Sequence, residues 1–296
     1  MKNFNITNPV FSDLENVKAI NPNTIKLLHD KTRDGSFNVL IDESSGVIFL
    51  EKFNIIEDHY IESPGAAGFD SYFNQNGYFE DDHRRFEYLK GFIKNSEYIL
   101  DVGSEWGGFL NLAKEASKKI EGAELNLAAV KYVENNLGVK VHKDVKFVED
   151  KPDILTMFHV LEHIPNQIDF LKILHDKMCP GAMLVIEVPH ANDFLIKNVN
   201  LPEFRDFTFW NEHLVLHTED SLEKIISASG FKNIDISFIQ RYGFQNHFGW
   251  LNDRKPGGHI KYASRYDSDL NKSYCNWHEK NKTSDTLFAI AYKKSN

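Results

Sequence analysis

The sequence predicts an open, mostly parallel α/β sheet with helices on both of its faces. From residue 97 onward, short apolar segments alternate with segments of helical periodicity, and this alternation is typical of parallel strands joined by crossover helices. The first apolar segment, 98–102, ends in a glycine-rich turn. The later segment 183–188 reads Met-Leu-Val-Ile-Glu-Val, which indicates a buried strand.

The elements can be assigned in order along the chain. Residues 38–42 and 47–50 flank a Glu-Ser-Ser-Gly turn and predict a β-hairpin. This hairpin belongs to an N-terminal extension, 1–80, which we expect to form a lid or to cover the acceptor side. Residues 58–78 predict a loop, and 81–94 a helix. The predicted strands of the main sheet are 98–102, 120–124, 139–141, 153–158, 183–188, 234–239 and 286–292. Helices are predicted from Pro165 to Gly181 and from Thr218 to Gly230.

Composition restricts the class of protein. The 296 residues are 42% apolar and 26% charged, as in globular proteins, and the formal net charge is −9. That charge, without any run of Lys or Arg, argues against a nucleic-acid partner. Cys179 and Cys275 form no CxxC pair, so neither a disulfide framework nor a thiolate zinc site is indicated. The N-terminus does not have the pattern of a signal peptide, and no apolar run reaches the roughly 20 residues of a membrane helix. We therefore expect a cytoplasmic protein with no membrane partner.

The turn at 101–108, Asp-Val-Gly-Ser-Glu-Trp-Gly-Gly, follows the first strand of the predicted sheet. Open α/β sheets bind ligands beyond the carboxyl ends of their strands, and glycines let the backbone approach a ligand closely. A dinucleotide fingerprint, GxGxxG, requires glycine where Glu105 stands. A carboxylate there would repel a pyrophosphate but would tolerate a cationic sulfonium cofactor. A plain strand-to-helix turn remains the alternative.

An acidic residue follows the second predicted strand about 20 residues later. Glu124 ends the segment Ile-Glu-Gly-Ala-Glu, and a carboxylate at this place can accept hydrogen bonds from both ribose hydroxyls. The alternative is a solvated surface acid. Its position after the glycine turn favours the ribose contact.

Four segments together resemble class I S-adenosylmethionine-dependent methyltransferases. They are 98–110, 158–165 (Phe-His-Val-Leu-Glu-His-Ile-Pro), 178–189 and 211–218, and they occur in the family's order. The resemblance is greatest to the branch that acts in surface-polysaccharide and natural-product pathways. It implies a Rossmann-like, seven-stranded sheet over 81–296, S-adenosyl-L-methionine as the cofactor, and a small-molecule acceptor such as a sugar or nucleotide-sugar. The cysteine zinc module of the related sugar C-methyltransferases has no counterpart here.

The resemblance also implies roles for individual residues. The turn around the methionine moiety would be shaped by Asp101, Gly103, Ser104 and Gly107. The other cofactor contacts would come from Glu124 at the ribose, Asp144 near the adenine, Phe158 and His159 at the fourth strand, and Arg84 or Arg85 at the cofactor carboxylate. The chain departs from the family at Glu105, where glycine is usual. The Glu105 side chain must therefore point out of the pocket or contact the cofactor's amino group.

Histidines supply the candidate catalytic groups. A hydroxyl or amine acceptor must lose a proton during methylation, and a nearby histidine can serve as general base. The candidates are His163, His190 and His213, and the alternative for each is a histidine of the cleft wall. The segment 159–163 also spells HxxEH, a metalloprotease motif that needs a continuous helix, but Pro165 follows too closely. A four-histidine site that includes His217 is conceivable. We assign no metal ligands.

An insert, 240–285, precedes the last predicted strand. It contains Arg241, Tyr242, Asn246, His247, Trp250 and His259. Aromatic and hydrogen-bonding side chains suit a sugar-like acceptor, but they would equally form a homodimer contact. Two other hypotheses remain open: a non-catalytic, methyltransferase-like binding or scaffold subunit, favoured by Glu105, and a nicotinamide-dependent sugar enzyme, disfavoured by the failed GxGxxG spacing.

Overall fold

The structure, a computed structural model, describes residues 4–53, 78–264 and 267–295. The loop predicted at 58–78 therefore lies outside the described residues, apart from residue 78 itself.

The main sheet has seven strands in the described part of the chain, in the order β10-β11-β8-β7-β4-β5-β6. The four pairings from β8 to β6 are parallel, whereas β11 is antiparallel to both of its neighbours. The predicted open, mostly parallel α/β sheet is thus confirmed. Its strands are β4 (Ile99–Val102), β5 (Ile120–Ala123), β6 (Val141–His142), β7 (Ile154–Phe158), β8 (Met183–Pro189), β10 (Lys232–Ile239) and β11 (Thr286–Tyr292).

Strand register places the carboxyl ends of the central strands at one edge. Val102, the last residue of β4, pairs with Ala123 of β5 and with Met157 of β7. Phe158, the last residue of β7, pairs with Glu187 near the end of β8. The residues that follow these strands therefore share one surface, which is where ligands bind in open α/β sheets.

Helices connect the strands. The predicted helix after Pro165 begins at Gln167, and Thr218 caps the helix after it with a reciprocal Thr218–Ser221 capping box. None of the helices in the described part of the chain is long and apolar enough to cross a membrane. They are α1 (Val10–Asn16), α2 (Tyr78–Ile93), α3 (Gly108–Ala113), α4 (Leu127–Tyr132), α5 (Gln167–Lys177), α6 (Phe194–Lys197), α7 (Pro202–Thr208), α8 (Glu219–Ala228), α9 (Phe244–Asp253), α10 (Gly258–Lys261) and α11 (Ser268–Lys280).

A second, four-stranded sheet lies at the N-terminus, in the order β1-β2-β3-β9. Strands β2 (Val39–Asp42) and β3 (Ile48–Leu50) are the arms of a hairpin, and β1 (Ile25–His29) pairs with β2. The fourth strand, β9 (Val215–Leu216), comes from the far half of the chain and pairs with β3. The Asn8 side-chain amide joins the same two parts by donating to the carbonyls of Leu50 and Leu214.

One hydrophobic core extends across both sheets. Val10 and Leu14 of α1 and Phe49 of β3 belong to the same buried cluster as Leu184 of β8 and Leu287 of β11. The N-terminal residues therefore complete the core of the main sheet.

The segment between β10 and β11 is the helical insert α9–α11. His247 and Trp250 of α9 are buried, and Trp250 packs edge-on against Phe204 of α7, with ring centroids 5.1 Å apart. These two insert residues stabilise the packing of α9 and do not lie open to an acceptor. Arg241, in contrast, precedes α9 and contacts His159 at the end of β7.

Candidate functional site

The turn after β4 requires two of its glycines. Gly103 (φ +72°) and Gly107 (φ +79°) adopt the left-handed conformation that glycine favours. A Cβ on Gly103 would collide with the Val160 side chain, and one on Gly107 would lie 2.8 Å from side-chain atoms of Leu137 and Val133. The turn therefore holds the chain close to the ends of the neighbouring strands.

Glu124 follows β5 directly, as predicted, and its carboxylate is held by two backbone donors. The N–H of Glu105 donates to Oε2 at 2.9 Å, and the N–H of Asn126 donates to Oε1 at 2.8 Å. Each oxygen keeps a further lone pair, because a carboxylate has about four acceptor positions. The fixed carboxylate thus fits the two hydroxyls of a ribose.

Asp101 and Ser104 form the wall of the same turn. Asp101 is buried at the end of β4 and accepts a 2.6 Å hydrogen bond from the Thr156 hydroxyl. Burial raises the pKa of Asp101 to about 7. The Ser104 hydroxyl is buried and has no hydrogen-bond partner among the described residues. A bound polar ligand would satisfy it, because buried polar groups are normally hydrogen-bonded.

The Glu105 carboxylate is partly buried and interacts electrostatically with Glu124, Asp82 and His159. Its backbone is left-handed, with φ +46°. Burial, and then the charge of Glu124, raise the pKa of Glu105 to about 7. Burial also raises the pKa of Glu124. A cluster of acids around the glycine turn disfavours a pyrophosphate and fits a cofactor that carries an ammonium and a sulfonium group.

His159 lies in an ion-pair network at the ends of β7 and β8. Its Nδ1 is 3.1 Å from Glu162 Oε1, and its Nε2 is 2.8 Å from Nη1 of Arg241 and 3.2 Å from Oε1 of Glu187. Arg241 in turn binds Asp81 of α2 through Nε at 2.8 Å. The network therefore fastens the insert and α2 to the strand ends.

The two arginines proposed for the cofactor carboxylate are already engaged. Arg84 Nη2 lies 2.8 Å from Glu187, and Arg85 donates to the same carboxylate from Nε and Nη2 at 3.0 and 2.6 Å. Glu187 is buried, and although burial raises its pKa, the charge of Arg85 outweighs this and holds the pKa well below the usual range. A cofactor carboxylate would have to share Arg84 or Arg85 with Glu187.

Asp144 and Phe158 also follow or end strands at this edge. Asp144 comes two residues after β6 and caps a 3₁₀ turn, accepting from the Lys146 N–H at 2.8 Å. Phe158 packs edge-on against Phe109, with centroids 5.1 Å apart, and lies 4.6 Å beneath the Arg85 guanidinium. Both positions are compatible with the cofactor contacts predicted for them, which stay predictions.

Two of the three candidate bases lie together. The rings of His163 and His213 are 4.9 Å apart and edge-to-face, and both are half-buried. Burial, and then His163, lower the pKa of His213 to about 3, so its ring is neutral. His190 is separate: it is buried, its Nδ1 lies 2.9 Å from the Ser284 carbonyl, and its ring packs on Phe238. An acceptor could reach His190 only if its neighbours moved.

The described residues contain neither the HxxEH helix nor the four-histidine site that the sequence raised. Residues Leu161–His163 are a single 3₁₀ turn, and His159 is left-handed with φ +55°, so the continuous helix that HxxEH needs does not exist. In the four-histidine arrangement, His217 would be required, but its two ring nitrogens are taken by Ser221 and Gln167 at 3.0 Å each.

Sequence reasoning missed two buried acids at this edge, Glu162 and Glu187. Glu187 had a signal, since it is the one charged residue in an otherwise apolar strand. Glu162 lies between two histidines in sequence, where it was considered only as part of HxxEH. Although burial raises its pKa, the hydrogen bond with His159 and the nearby histidines lower it to about 2.

These features are those expected of an α/β enzyme that binds an adenosyl cofactor beyond the ends of its parallel strands. The glycine turn, the fixed Glu124 carboxylate and the cluster of acids occupy the positions predicted for the methionine, ribose and cation contacts, which stay predictions. The seven-stranded order, with an antiparallel strand β11, completes the description.

Comparison with known proteins gives the family. A family profile described as a methyltransferase domain matches residues 67–236, and the chain belongs to this family. A SAM-dependent methyltransferase from Archaeoglobus fulgidus has the same fold, with a TM-score of 0.53 and 20% identity, over 76% of this chain and 100% of that one. A chain from the complex of the Haloferax volcanii Trm112 methyltransferase activator with a methyltransferase is similar at a TM-score of 0.50 and 12% identity, over 76% and 97%. No curated protein matches the sequence. The protein is an S-adenosylmethionine-dependent methyltransferase, with S-adenosylmethionine as its cofactor.

Proposed function

We propose that the protein methylates a hydroxyl or amine of a sugar or nucleotide-sugar in surface-polysaccharide biosynthesis. The observation that carries the acceptor class is a half-buried aromatic surface beside the candidate base. Trp210 stacks on His213 with centroids 6.1 Å apart, and the His213 ring contacts His163. His163 lies five residues beyond Phe158, the last residue of β7. Aromatic rings pack well on the apolar faces of sugars.

A cation accompanies this aromatic surface. The Arg33 guanidinium lies 4.6 Å from the Trp210 ring and 4.4 Å from the Phe207 ring. Guanidinium groups bind phosphates through paired hydrogen bonds. Arg33 therefore supports a nucleotide-sugar, whose diphosphate would lie beside the stacked sugar.

The cofactor, when bound, supplies a methyl group attached to a positively charged sulfur. The residues of this chain hold and orient the reactants. Glu124 holds the ribose, the turn from Gly103 to Gly107 holds the methionine moiety, and Trp210 aligns the acceptor, which is the main requirement of a direct displacement. His163 is the first candidate to accept the acceptor's proton. His213 is a weaker base because its pKa is lowered to about 3, and His190 is the third candidate and requires movement of its neighbours. A base placed in this way contributes a factor of about 10² to 10⁴.

Calorimetry with S-adenosylhomocysteine and an acceptor panel test the proposal. Glu124→Ala should weaken S-adenosylhomocysteine binding by roughly tenfold or more, because the two ribose hydrogen bonds to a charged group are lost. Glu115→Ala, which removes an exposed acid, is the matched control.

Transfer of labelled methyl groups to nucleotide-sugars, but not to simple amines, would support the acceptor class. Equal cofactor affinity in the Glu124 variant would contradict the ribose contact, and a protein that binds the cofactor but methylates no sugar would contradict the acceptor.

We also propose that the helical insert mediates a homodimer. Large apolar side chains are exposed along it: Leu251, Ile260, Leu270 and Trp277 are between 43% and 59% exposed. Sedimentation at micromolar concentration should give a dimer that Trp277→Glu converts to a monomer. A monomeric wild-type protein would exclude this contact.

A further inference from the structure

Three side chains that follow β7 or precede β9 have atoms that could bind a metal ion, and these atoms lie close together. One carboxylate oxygen of Glu162 and one ring nitrogen each of His163 and His213 lie within 4.8 Å of one another. Glu162 is completely buried, and its Oε2 has no hydrogen-bond partner among the described residues. A buried carboxylate oxygen without a partner costs free energy unless a ligand satisfies it.

The fold fixes the three residues relative to one another. Glu162 and His163 belong to the same 3₁₀ turn, Leu161–His163. The N–H of Leu214 donates to the Glu162 carbonyl at 2.9 Å, which places the neighbouring His213 beside the turn. The His159 ring, 3.1 Å from Glu162 Oε1, orients the carboxylate. Ligating carboxylates are typically held by such outer hydrogen bonds.

We propose that Glu162, His163 and His213 bind a divalent transition-metal ion, with Zn²⁺ as the ion of choice. Two imidazoles and one carboxylate are the ligand set of catalytic zinc and non-haem iron sites, which keep at least one coordination position open. Ligand atoms of tetrahedral zinc, at about 2.1 Å from the ion, lie about 3.4 Å apart. Small inward rotations of the two half-buried rings would close the site.

The consequence for catalysis rests on the proposed function. The ion would hold the acceptor oxygen next to the cofactor site and make its proton more acidic, as zinc does for bound water. The acceptor hydroxyl gives its proton to solvent, its oxygen forms the new C–O bond, and the C–S bond of the cofactor breaks to leave neutral S-adenosylhomocysteine. With the ion bound, His163 and His213 are its ligands, and solvent takes the proton that they would accept in the metal-free site.

Metal titration of the full chain tests the site without any acceptor. The protein is stripped with a chelator and titrated with Zn²⁺ in a calorimeter, and with Co²⁺ while its visible absorption is recorded. We expect one equivalent to bind, and Glu162→Gln and His213→Asn each to weaken binding by at least about a hundredfold, since even outer-shell changes cost tenfold to a hundredfold. His175→Asn, which removes a half-buried histidine at the end of α5, is the matched control and should bind as the wild type.

S-adenosylhomocysteine affinity and methyl transfer to sugars separate a failure of the metal site from a failure of the proposed function. Each variant must keep its S-adenosylhomocysteine affinity, which shows that the fold and the cofactor site are intact. Absence of stoichiometric binding to the wild type, or equal binding by the Glu162 and His213 variants, would overturn the metal site. Metal binding without methyl transfer to sugars would leave the metal site standing and contradict only the acceptor class.

Discussion

At the scale of single residues, Glu105 adds a third acid to Asp101 and Glu124 around the glycine turn. A non-glycine residue in the left-handed region costs roughly 1–2 kcal/mol, and Glu105 is in addition buried beside Glu124. A cationic ligand facing the side chain would reduce the cost of the charge, and the binding energy would offset the backbone strain. The usual glycine of the family would avoid the strain but would not offer this charge.

Cofactor affinity should therefore depend on pH. The pKa of Glu105 is raised to about 7, so the carboxylate is largely neutral at pH 6 and largely ionised at pH 8. A cation binds the ionised form better, and the dissociation constant of S-adenosylmethionine should fall up to roughly tenfold over this range. The affinity of the Glu105→Gln variant should depend less on pH. Of the two acids with a pKa of about 7, Glu105 and Asp101, only Asp101 still ionises in this variant. Calorimetry at pH 6, 7 and 8 measures both proteins, with Glu115→Gln as control; identical pH profiles for wild type and Glu105→Gln would contradict the role of this charge.

Some site residues could be predicted from the sequence because their neighbours in the chain define them. Glu124 follows a strand and a glycine turn at a fixed spacing, and the structure places it at the predicted strand end. Glu162 could not be recognised as a site residue from the sequence, because it becomes one only through its proximity to His213, about 50 residues away in the chain. The hydrogen bond between Leu214 and Glu162 that brings them together is a property of the fold.

At the scale of elements, an ion pair between Asp81 and Arg241 joins α2 to the insert. Both side chains are mostly buried, and Arg241 also contacts His159. Removing one partner of a buried pair leaves the other charge uncompensated, which typically costs 3–5 kcal/mol. The pair therefore positions the insert over the strand ends.

Asp81→Asn should lower the free energy of unfolding by about 3 kcal/mol. Chemical denaturation followed by circular dichroism measures this change. The control is Glu97→Gln, which breaks the exposed pair with Lys118 and should have no measurable effect. Equal stability of the two variants would indicate that Arg241 finds another partner, such as Glu187.

Strands with a clear apolar run or alternation were predictable, including the edge strand β10, whereas short or irregular edge strands were not. Strand β11 has the predicted bounds, because its seven residues form an apolar run buried on both faces. Strand β6 is only two residues long and lies at the sheet edge, where the predicted strand 139–141 overlaps the observed Val141–His142 by one residue. Strand β1 was missed because it is a half-exposed edge strand without a regular alternation. Short or irregular edge strands such as β6 and β1 carry little sequence signal, since tertiary pairing decides them.

At the scale of the whole molecule, the N-terminal residues are part of the enzyme's core. The sequence predicts an extension at 1–80 because regular strand–helix alternation begins only at about residue 97. The two-residue strand β9 carries no such signal, yet it closes the N-terminal sheet from within the main domain. The described residues 4–53 therefore share buried surface with the main sheet.

This shared core predicts that both sheets unfold together. Phe49 of β3 is 1% exposed and packs against Phe11 with centroids 5.8 Å apart. Phe49→Ala should destabilise the protein by about 3–5 kcal/mol, as large-to-small changes in a core do. Trp106 lies in the turn after β4, and Trp250 and Trp277 lie in the insert, whereas Trp210 contacts Arg33 of the N-terminal residues. In a Trp210→Phe background the remaining fluorescence therefore reports residues outside the N-terminal sheet.

Urea unfolding of Phe49→Ala should shift the tryptophan fluorescence and the far-ultraviolet circular dichroism by the same amount, in coincident transitions. Phe147→Ala, which removes an aromatic ring that is 58% exposed, serves as the control and should leave both transitions in place. If the fluorescence transition stayed at its wild-type midpoint while part of the circular dichroism signal was lost at lower urea, the N-terminal sheet would be a separate unit. Coincident shifts would mean that a change in the N-terminal hairpin is felt throughout the core that supports the cofactor-binding strands.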